Sequence, residues 1–342
     1  MIDGKILITG SNGQLGQCLH SSIKYYGCKI ENYLFTTREE FDIGNTEMMR
    51  KYLSEHKDVK VIINCAAYTN VKGAETDDGF KQAMFINCEC VKNLARLCNE
   101  FGIFLIHFGT DYMYNYDKIN GLPIGEDCIH WEFSDDYFYK YYSDKKNRYG
   151  YSKCAGIHEI FKEFKYTTDD KQPKFVILVV SWLYSIYGKN FVKTIRERVK
   201  SEEKTNVVYT QVGSPTYAND LADYIIDVIE NDNCKFVDNP YGYNIESTFD
   251  SSYWHIINFA NLGVASWYDI AKKVEEIFSI HDKIEPILEV DDSVLRPKYS
   301  VLNTSRLFRL KGDKRYVRHW LEALYDCCST LRFYEKNKKE TD

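Results

Sequence analysis

Short apolar runs along this chain alternate with segments whose apolar residues recur every three or four positions. The first kind of pattern predicts buried strands and the second amphipathic helices. Ile6-Leu7-Ile8 is such a run, and Gly10, Gly13 and Gly16 break it before Leu15, Cys18, Leu19 and Ile23 fall at helical spacing. Residues 29–36 (KIENYLFT) predict a second strand, 47–56 a helix and 59–65 (VKVIINC) a third strand. Helical spacing resumes over about 79–100, through Met84, Asn87, Val91, Leu94 and Leu97. A fourth strand over 104–108, a helix opening near Tyr149 and running to about 165, and a strand over 175–180 complete the alternation. That order implies a parallel sheet with helices on both faces.

Beyond 180 the chain changes character. Helices are expected over 191–200, 218–230 and 266–278, then a last amphipathic helix carrying Val317, Trp320, Leu321, Leu324 and Tyr325. The expected organisation is α/β: residues 1–180 as a doubly wound, Rossmann-type domain, and 181–335 mostly as a smaller α/β substrate domain, some segments returning to the first core. Residues 336–342 are expected to fray. The polar, aromatic stretch of about 113–148, with Trp131, Phe133, Tyr137, Phe138, Tyr139, Tyr141 and Tyr142, is long enough to be a lid over a site or an inert insertion.

The glycine turn carries the first chemistry. Gly10 can take backbone angles closed to other residues, Gly13 lets a pyrophosphate approach the main chain, and Gly16 lets the helix pack close. The N–H groups at the helix start then face phosphates. The second strand ends in Thr37-Arg38, not in the acidic residue that takes a ribose 2′-hydroxyl in NAD enzymes. Arg38 suits a 2′-phosphate, so NADPH is the expected cofactor, with NADH as the alternative. Small residues after the third strand leave room for a cofactor crossing the sheet edge.

Composition narrows the classes. The 342 residues carry a net charge of −6 without a basic block, which argues against nucleic acid and anionic membranes as partners. No apolar segment approaches the roughly 20 residues of a membrane span, and the N-terminus enters a strand directly rather than a signal peptide. The 11 cysteines show no metal-site or C-x-x-C spacing, so free thiols in the cytoplasm, and no metal, are expected.

Tyr149 and Lys153 lie four apart, sharing one helix face. A nearby ammonium lowers a phenol's pKa, and such a Tyr can protonate a carbonyl oxygen as hydride reaches its carbon. Thr110, ending the preceding strand, is placed to hold the same oxygen, whereas His107 within that strand reads as a packed side chain. Tyr-x-x-x-Lys recurs at Tyr25/Lys29, Tyr68/Lys72, Tyr114/Lys118, Tyr141/Lys145, Tyr142/Lys146, Tyr268/Lys272 and Tyr334/Lys338. Only Tyr149/Lys153 opens a helix after the Thr110 strand and before another strand, so position selects it.

With these residues the chain resembles the extended short-chain dehydrogenase/reductases, and within them the dTDP-4-dehydrorhamnose reductase family. The likeness runs nearly end to end: ILITGSNGQLG, FDI, NCAAYTNV, TDY, YGYSKCAG, Ser181-Trp182, GKNFVKT, GSPTYANDLA, SWYDIA and RPKYSVLN. It implies reduction of a nucleotide-linked (dTDP or UDP) 4-dehydro-6-deoxyhexose, giving the nucleotide-L-rhamnose, with Thr110, Tyr149 and Lys153 catalytic. On the combined reading Gly10, Ser11, Asn12, Gly13, Gln14, Leu15, Gly16, Arg38, Asp42, Ile43, Cys65, Ala66, Ala67 and Tyr68 hold the cofactor beside Tyr149 and Lys153. By the same resemblance Thr69, Val71, Asp111, Tyr112 and Trp182 line the sugar site. A homodimer is the assembly carried as an expectation.

The sequence departs from the family at Lys72, where Asp is usual after Y-T-x-V, and at Val179, where Arg is usual. The Tyr112–Tyr149 segment is also longer than usual. Two other readings stand beside the reductase. One is a bifunctional 3,5-epimerase/4-reductase, in which Tyr112 as acid and Lys193 as base would serve epimerisation. The other is a non-catalytic regulatory subunit of a methionine adenosyltransferase.

Overall fold

A computed structural model describes residues 2–114, 122–126, 147–164, 175–201, 204–232, 256–289, 294, 296–311 and 317–339. Strand and helix alternate through β1 (Lys5–Thr9), α1 (Gln14–Tyr25), β2 (Tyr33–Phe35), α2 (Thr46–Glu55), β3 (Val59–Asn64), α3 (Asp77–Met84), α4 (Cys90–Phe101), β4 (Phe104–Thr110), α5 (Arg148–Phe164) and β5 (Phe175–Val180). There follow β6 (Leu183–Tyr184), α6 (Phe191–Val199), β7 (Thr205–Val208), β8 (Val212–Gly213), β9 (Thr216–Tyr217), α7 (Ala218–Asp232) and β10 (Ile256–Phe259). The chain closes with β11 (Ala265–Ser266), α8 (Trp267–Ile277), β12 (Ile284–Ile287), β13 (Tyr299–Ser300), α9 (Ser305–Lys311) and α10 (Trp320–Lys339).

Six strands form a parallel sheet in the order β10-β5-β4-β3-β1-β2. Its strands are buried on both faces, which is why they read as unbroken apolar runs. Alternate residues feed opposite layers. Leu7, Ile62, Leu105, Ile177 and Val179 join α2, α4 and α5 in one core, while Ile6, Ile8, Val61, Ile63, Val176 and Leu178 join α1 and α7 in the other. β2 and β3 flank β1 on opposite sides, so the strand order reverses there. In open α/β sheets a ligand crevice opens at such a switch point, outside the carboxyl ends of the strands.

The chain after 180 is not confined to a separate unit. α7 packs on α1, and β10 extends the central sheet beside β5, pairing Ile256 with Ile177 and Phe259 with Val180. A third apolar cluster gathers α6, α8 and α10 through Val192, Ile195, Val199, Ile270, Val274, Trp320, Ala323 and Leu324.

Several local expectations are corrected. The second strand shrinks to three residues because a 3-10 turn, Ile30–Asn32, occupies its start. The predicted 79–100 helix is two helices joined by a π turn, Phe85–Glu89. In α10 the buried face is Trp320, Ala323, Leu324, Cys327 and Cys328, whereas Leu321 and Tyr325 are exposed and Val317 precedes the helix. That helix also continues to Lys339, past the expected fraying point. All seven aromatic residues singled out in the 113–148 stretch lie outside the described residues. Near its start and middle, Met113, Tyr114, Ile124 and Glu126 are buried. Ile124 bridges Leu302, and Glu126 Oε1 accepts from the Asn258 N–H at 3.0 Å.

Candidate active site

The crevice is built from the glycine turn upward. Gly10 sits at φ +59°, and a Cβ there would lie 2.9 Å from the Ala66 nitrogen, so the two chain segments touch through main chain. A Cβ on Gly16 would come within 2.6 Å of Ser11 Cα and O. Gly16 therefore lets the helix approach the turn rather than the strand. Gly13 caps α1 with no side-chain hydrogen bond and no acidic residue in the first turn, which leaves the helix N–H groups for an anion. This cradle fits the pyrophosphate of a dinucleotide.

Other expected cofactor residues contribute main chain more than side chain. Leu15 and Ile43 are buried in the two cores. Ser11 N–H donates to Thr36 O, and Asn12 O accepts from Gln17 Nε2. Gln14 Oε1 accepts from Asn190 Nδ2 at 3.1 Å, which ties α1 to the cap of α6. Arg38 is exposed, and its Nε pairs with Asp42 Oδ2 at 3.1 Å. Asp42 Oδ1 also accepts from Gly44 N–H, so the carboxylate holds the loop and aims the guanidinium. After β3, Cys65 and Ala66 are half-buried and Ala67 is exposed; burial pushes the Cys65 thiol up.

Thr110 ends β4, and Tyr149 and Lys153 lie one turn apart in α5, each nearly buried. The Thr110 hydroxyl is within hydrogen-bonding reach of the Tyr149 phenol. Thr110 Oγ1 donates to Asp111 Oδ1 at 3.1 Å and accepts from Tyr112 N–H. Tyr149 packs with Ala74 and Ala83 against Tyr68, Val71 and Tyr112, and the Tyr112 ring stands edge-on to it at 5.7 Å. Thr69 is exposed beside this cluster and accepts from the Val71 N–H.

The electrostatics correct one expectation. The Tyr149 phenol is raised, chiefly by burial and then by the Asp111 charge, with the Thr110 hydroxyl pulling the other way. Burial draws the Lys153 ammonium down to about 8 and lifts the Asp111 carboxyl to about 6, against the pull of the Thr110 and Ser300 hydroxyls. Tyr149 is thus held as a neutral phenol, the form that donates a proton.

Several supporting residues escaped the sequence reading. Asn147 Oδ1 accepts from Gly150 N–H at 3.0 Å while its Nδ2 donates to Tyr112 O at 2.9 Å, fixing the helix start to the β4 exit. An Asn shortly before a predicted helix was the available signal. Asn87, in the π turn, accepts from Tyr68 N–H and donates to Tyr68 O and Ser152 Oγ. A Cβ on Gly156 would fall 1.8 Å from Asn87 O, so only glycine lets α5 approach so closely. π turns commonly mark functional sites.

Trp182 stands with the third cluster. It adopts φ +49°, rare for a bulky residue, and its indole stacks on Trp267 at 3.7 Å and 11°. A Cβ on Gly213 would meet that indole at 2.8 Å. Lys193 lies half-buried in the first turn of α6. Val179, in place of the family's Arg, is fully buried, and Lys72 is exposed. The described cysteines are thiols with no disulfide among them. Among the described residues, no group of three or more metal-ligating side chains occurs and no helix is long and apolar enough to cross a membrane.

Comparison with known proteins agrees with this architecture. The chain is 29% identical over 322 residues to the spore coat polysaccharide biosynthesis protein SpsK of Bacillus subtilis, covering 94% of this chain and 95% of that one. It is 28% identical over 324 residues to the dTDP-4-dehydrorhamnose reductase of Mycobacterium tuberculosis strain H37Rv, covering 94% and 91%. The crystal structure of dTDP-4-dehydrorhamnose reductase from Bacillus anthracis in complex with NADP superposes with a TM-score of 0.74 at 28% identity, over 95% of this chain and 99% of that one. The family described as RmlD substrate binding domain matches residues 4–333, and the chain belongs to that family.

Proposed function

We propose that this chain reduces the 4-keto group of a nucleotide-linked 4-dehydro-6-deoxyhexose, of the dTDP-4-dehydrorhamnose class, with NADPH in the cytoplasm. The observation that carries this reading is the buried Thr110 hydroxyl beside the Tyr149 phenol, with Lys153 buried one turn on in α5. The full-length likeness to reductases named for that substrate supports it.

The residues divide the work. The Gly10–Gly16 turn and the α1 N-terminus bind the pyrophosphate, and Arg38 receives the 2′-phosphate. The cofactor, when bound, supplies hydride. Tyr149 keeps its proton in the buried site and passes it from the phenol oxygen to the substrate's C4 oxygen. The Thr110 hydroxyl, which donates to Asp111 Oδ1, turns its hydrogen to that oxygen when substrate arrives and orients the carbonyl. Lys153, one turn on in α5 and drawn down to about 8 by burial, binds the cofactor beside Tyr149. Val71, Tyr68 and Tyr112, packed against Tyr149, exclude water from the transfer. Trp182 and Thr69 join the sugar site by the family resemblance.

The test is product identification. Purified protein, NADPH and dTDP- or UDP-linked 4-dehydro-L-rhamnose should yield the matching nucleotide-L-rhamnose by mass and proton NMR. Return of the 4-keto substrate unchanged would refute the reading.

A further inference from the structure

Beneath the site a line of buried polar side chains crosses three neighbouring strands. Thr9 ends β1, Asn64 ends β3 and His107 lies in β4, each at most 2% exposed. Thr9 Oγ1 donates to Asn64 Oδ1 at 2.7 Å, and Asn64 Nδ2 lies 3.1 Å from His107 Nδ1. An amide nitrogen only donates, so His107 Nδ1 accepts and the imidazole is the neutral tautomer protonated at Nε2. Burial and the Lys153 charge both keep this histidine neutral. Among the described residues Nε2 has no partner. At the other end Thr9 Oγ1 accepts from the Ala66 N–H at 3.4 Å.

The hydrogen bonds therefore run in one sense, from Ala66 through Thr9 and Asn64 to His107. Ala66 is the same backbone that abuts Gly10, where a Cβ would meet its nitrogen at 2.9 Å. The gap between the glycine turn and the backbone leaving β3 is thus set by contact on one side and by this ladder on the other.

Resting on the reading of this crevice as a dinucleotide site, we infer that His107 is a positioning residue. Its Nδ1 lone pair anchors Asn64 and Thr9, which hold the Ala66 backbone at the spacing the cofactor needs. It takes no part in proton transfer. Removing the acceptor leaves the Asn64 amide donor buried and unsatisfied, and the ladder shifts.

Asparagine and glutamine separate this role from a direct one. His107→Asn places an amide oxygen near the position of Nδ1, so it restores the acceptor. His107→Gln places its amide near Nε2 and does not. NADPH binding is read by the cofactor's fluorescence and kcat at saturating NADPH by its consumption, with thermal melting to confirm folding. His107→Gln and His107→Leu should weaken NADPH binding at least about tenfold and leave kcat within about threefold. His107→Asn should bind within about threefold of wild type. Thr9→Val, at the far end, should weaken binding as His107→Leu does, and the two together should weaken it no more than either alone.

Rescue by Gln and not by Asn would overturn the inference, as would normal binding in all variants or a loss confined to kcat. Should His107→Leu fail to fold, the Asn/Gln contrast and Thr9→Val decide alone. Binding of NADPH by the wild type without sugar turnover would remove the reductase reading and leave this inference standing. Absence of NADPH binding would overturn both.

Discussion

The Thr110 hydroxyl donates to Asp111 Oδ1 at 3.1 Å, and both residues are almost wholly buried at the end of β4. The bond commits the Thr110 hydrogen to its neighbour's carboxylate and leaves the oxygen's lone pairs toward Tyr112 N–H and the crevice. Thr110 is thereby coupled to a carboxyl whose ionisation is displaced.

A pH dependence follows from that displacement. Asp111 ionises at about 6 in the folded chain, against 3.8 for an exposed aspartate. Between those values the folded state binds more protons than the unfolded one, so this group's contribution to stability falls as pH rises through that window. Asp111→Asn removes this contribution. Melting temperature followed from about pH 4 to 6 should drop less in the variant than in wild type. Parallel curves would contradict the burial assigned to this carboxyl.

Tyr149→Phe should lower reduction by about 10²–10⁴-fold while NADPH binding persists, since only the proton donor is lost. Tyr151, two residues on, is half-buried and rests its ring near Phe80 at 5.9 Å. Tyr151→Phe should stay near wild type. Steady-state rates of the pair decide it, and an active Tyr149→Phe would move the acid elsewhere.

Arg38→Ala should raise the KM for NADPH and leave that for NADH nearly unchanged. The guanidinium is exposed and held by Asp42, facing solvent where a 2′-phosphate would arrive. Equal effects on the two cofactors would take Arg38 out of the phosphate site.

Gly156→Ala tests the close packing behind the site. A Cβ at 1.8 Å from Asn87 O forces α5 off the π turn, and overpacking of this kind costs about 1–3 kcal/mol. Denaturant unfolding should show that loss. An unchanged midpoint would mean that the helices do not approach as closely as described.

A fifth question is whether the chain also epimerises. Tyr112 presents a ring edge to Tyr149, and Lys193 belongs to the α6 segment beside the third cluster. With dTDP-4-keto-6-deoxyglucose and NADPH in D₂O, and no added epimerase, the expected product carries no deuterium at C3 or C5. NMR detection of deuterium at both positions would establish the bifunctional reading instead.

How much of this was legible beforehand depended on the range of the interaction. The strand–turn–helix of Ile6 to Ile23 and the parallel sheet were readable because periodicity and glycine spacing are local signals. Tyr149 stands apart from the other Tyr-x-x-x-Lys pairs by its place in the strand order. Of the other pairs, Tyr25 is 82% exposed and Lys272 pairs with Glu275. The clamps were not readable in the same way. Asn87 reaches Ser152 across 65 residues and Thr9 reaches Asn64 across 55. Nothing in a local window marks such partners. In α10 Leu321 and Tyr325 repeat at the same helical spacing as Trp320 and Leu324, so spacing alone does not tell the buried pair from the exposed one.

The most direct measurement is NADPH consumption by purified protein with dTDP-4-dehydro-L-rhamnose, run beside Tyr149→Phe. One NADPH should be oxidised per nucleotide-rhamnose formed, with the rate collapsing in the variant. Tight NADPH binding with no consumption on any 4-keto sugar nucleotide would contradict it, and would point to a cofactor-binding partner subunit on a reductase fold.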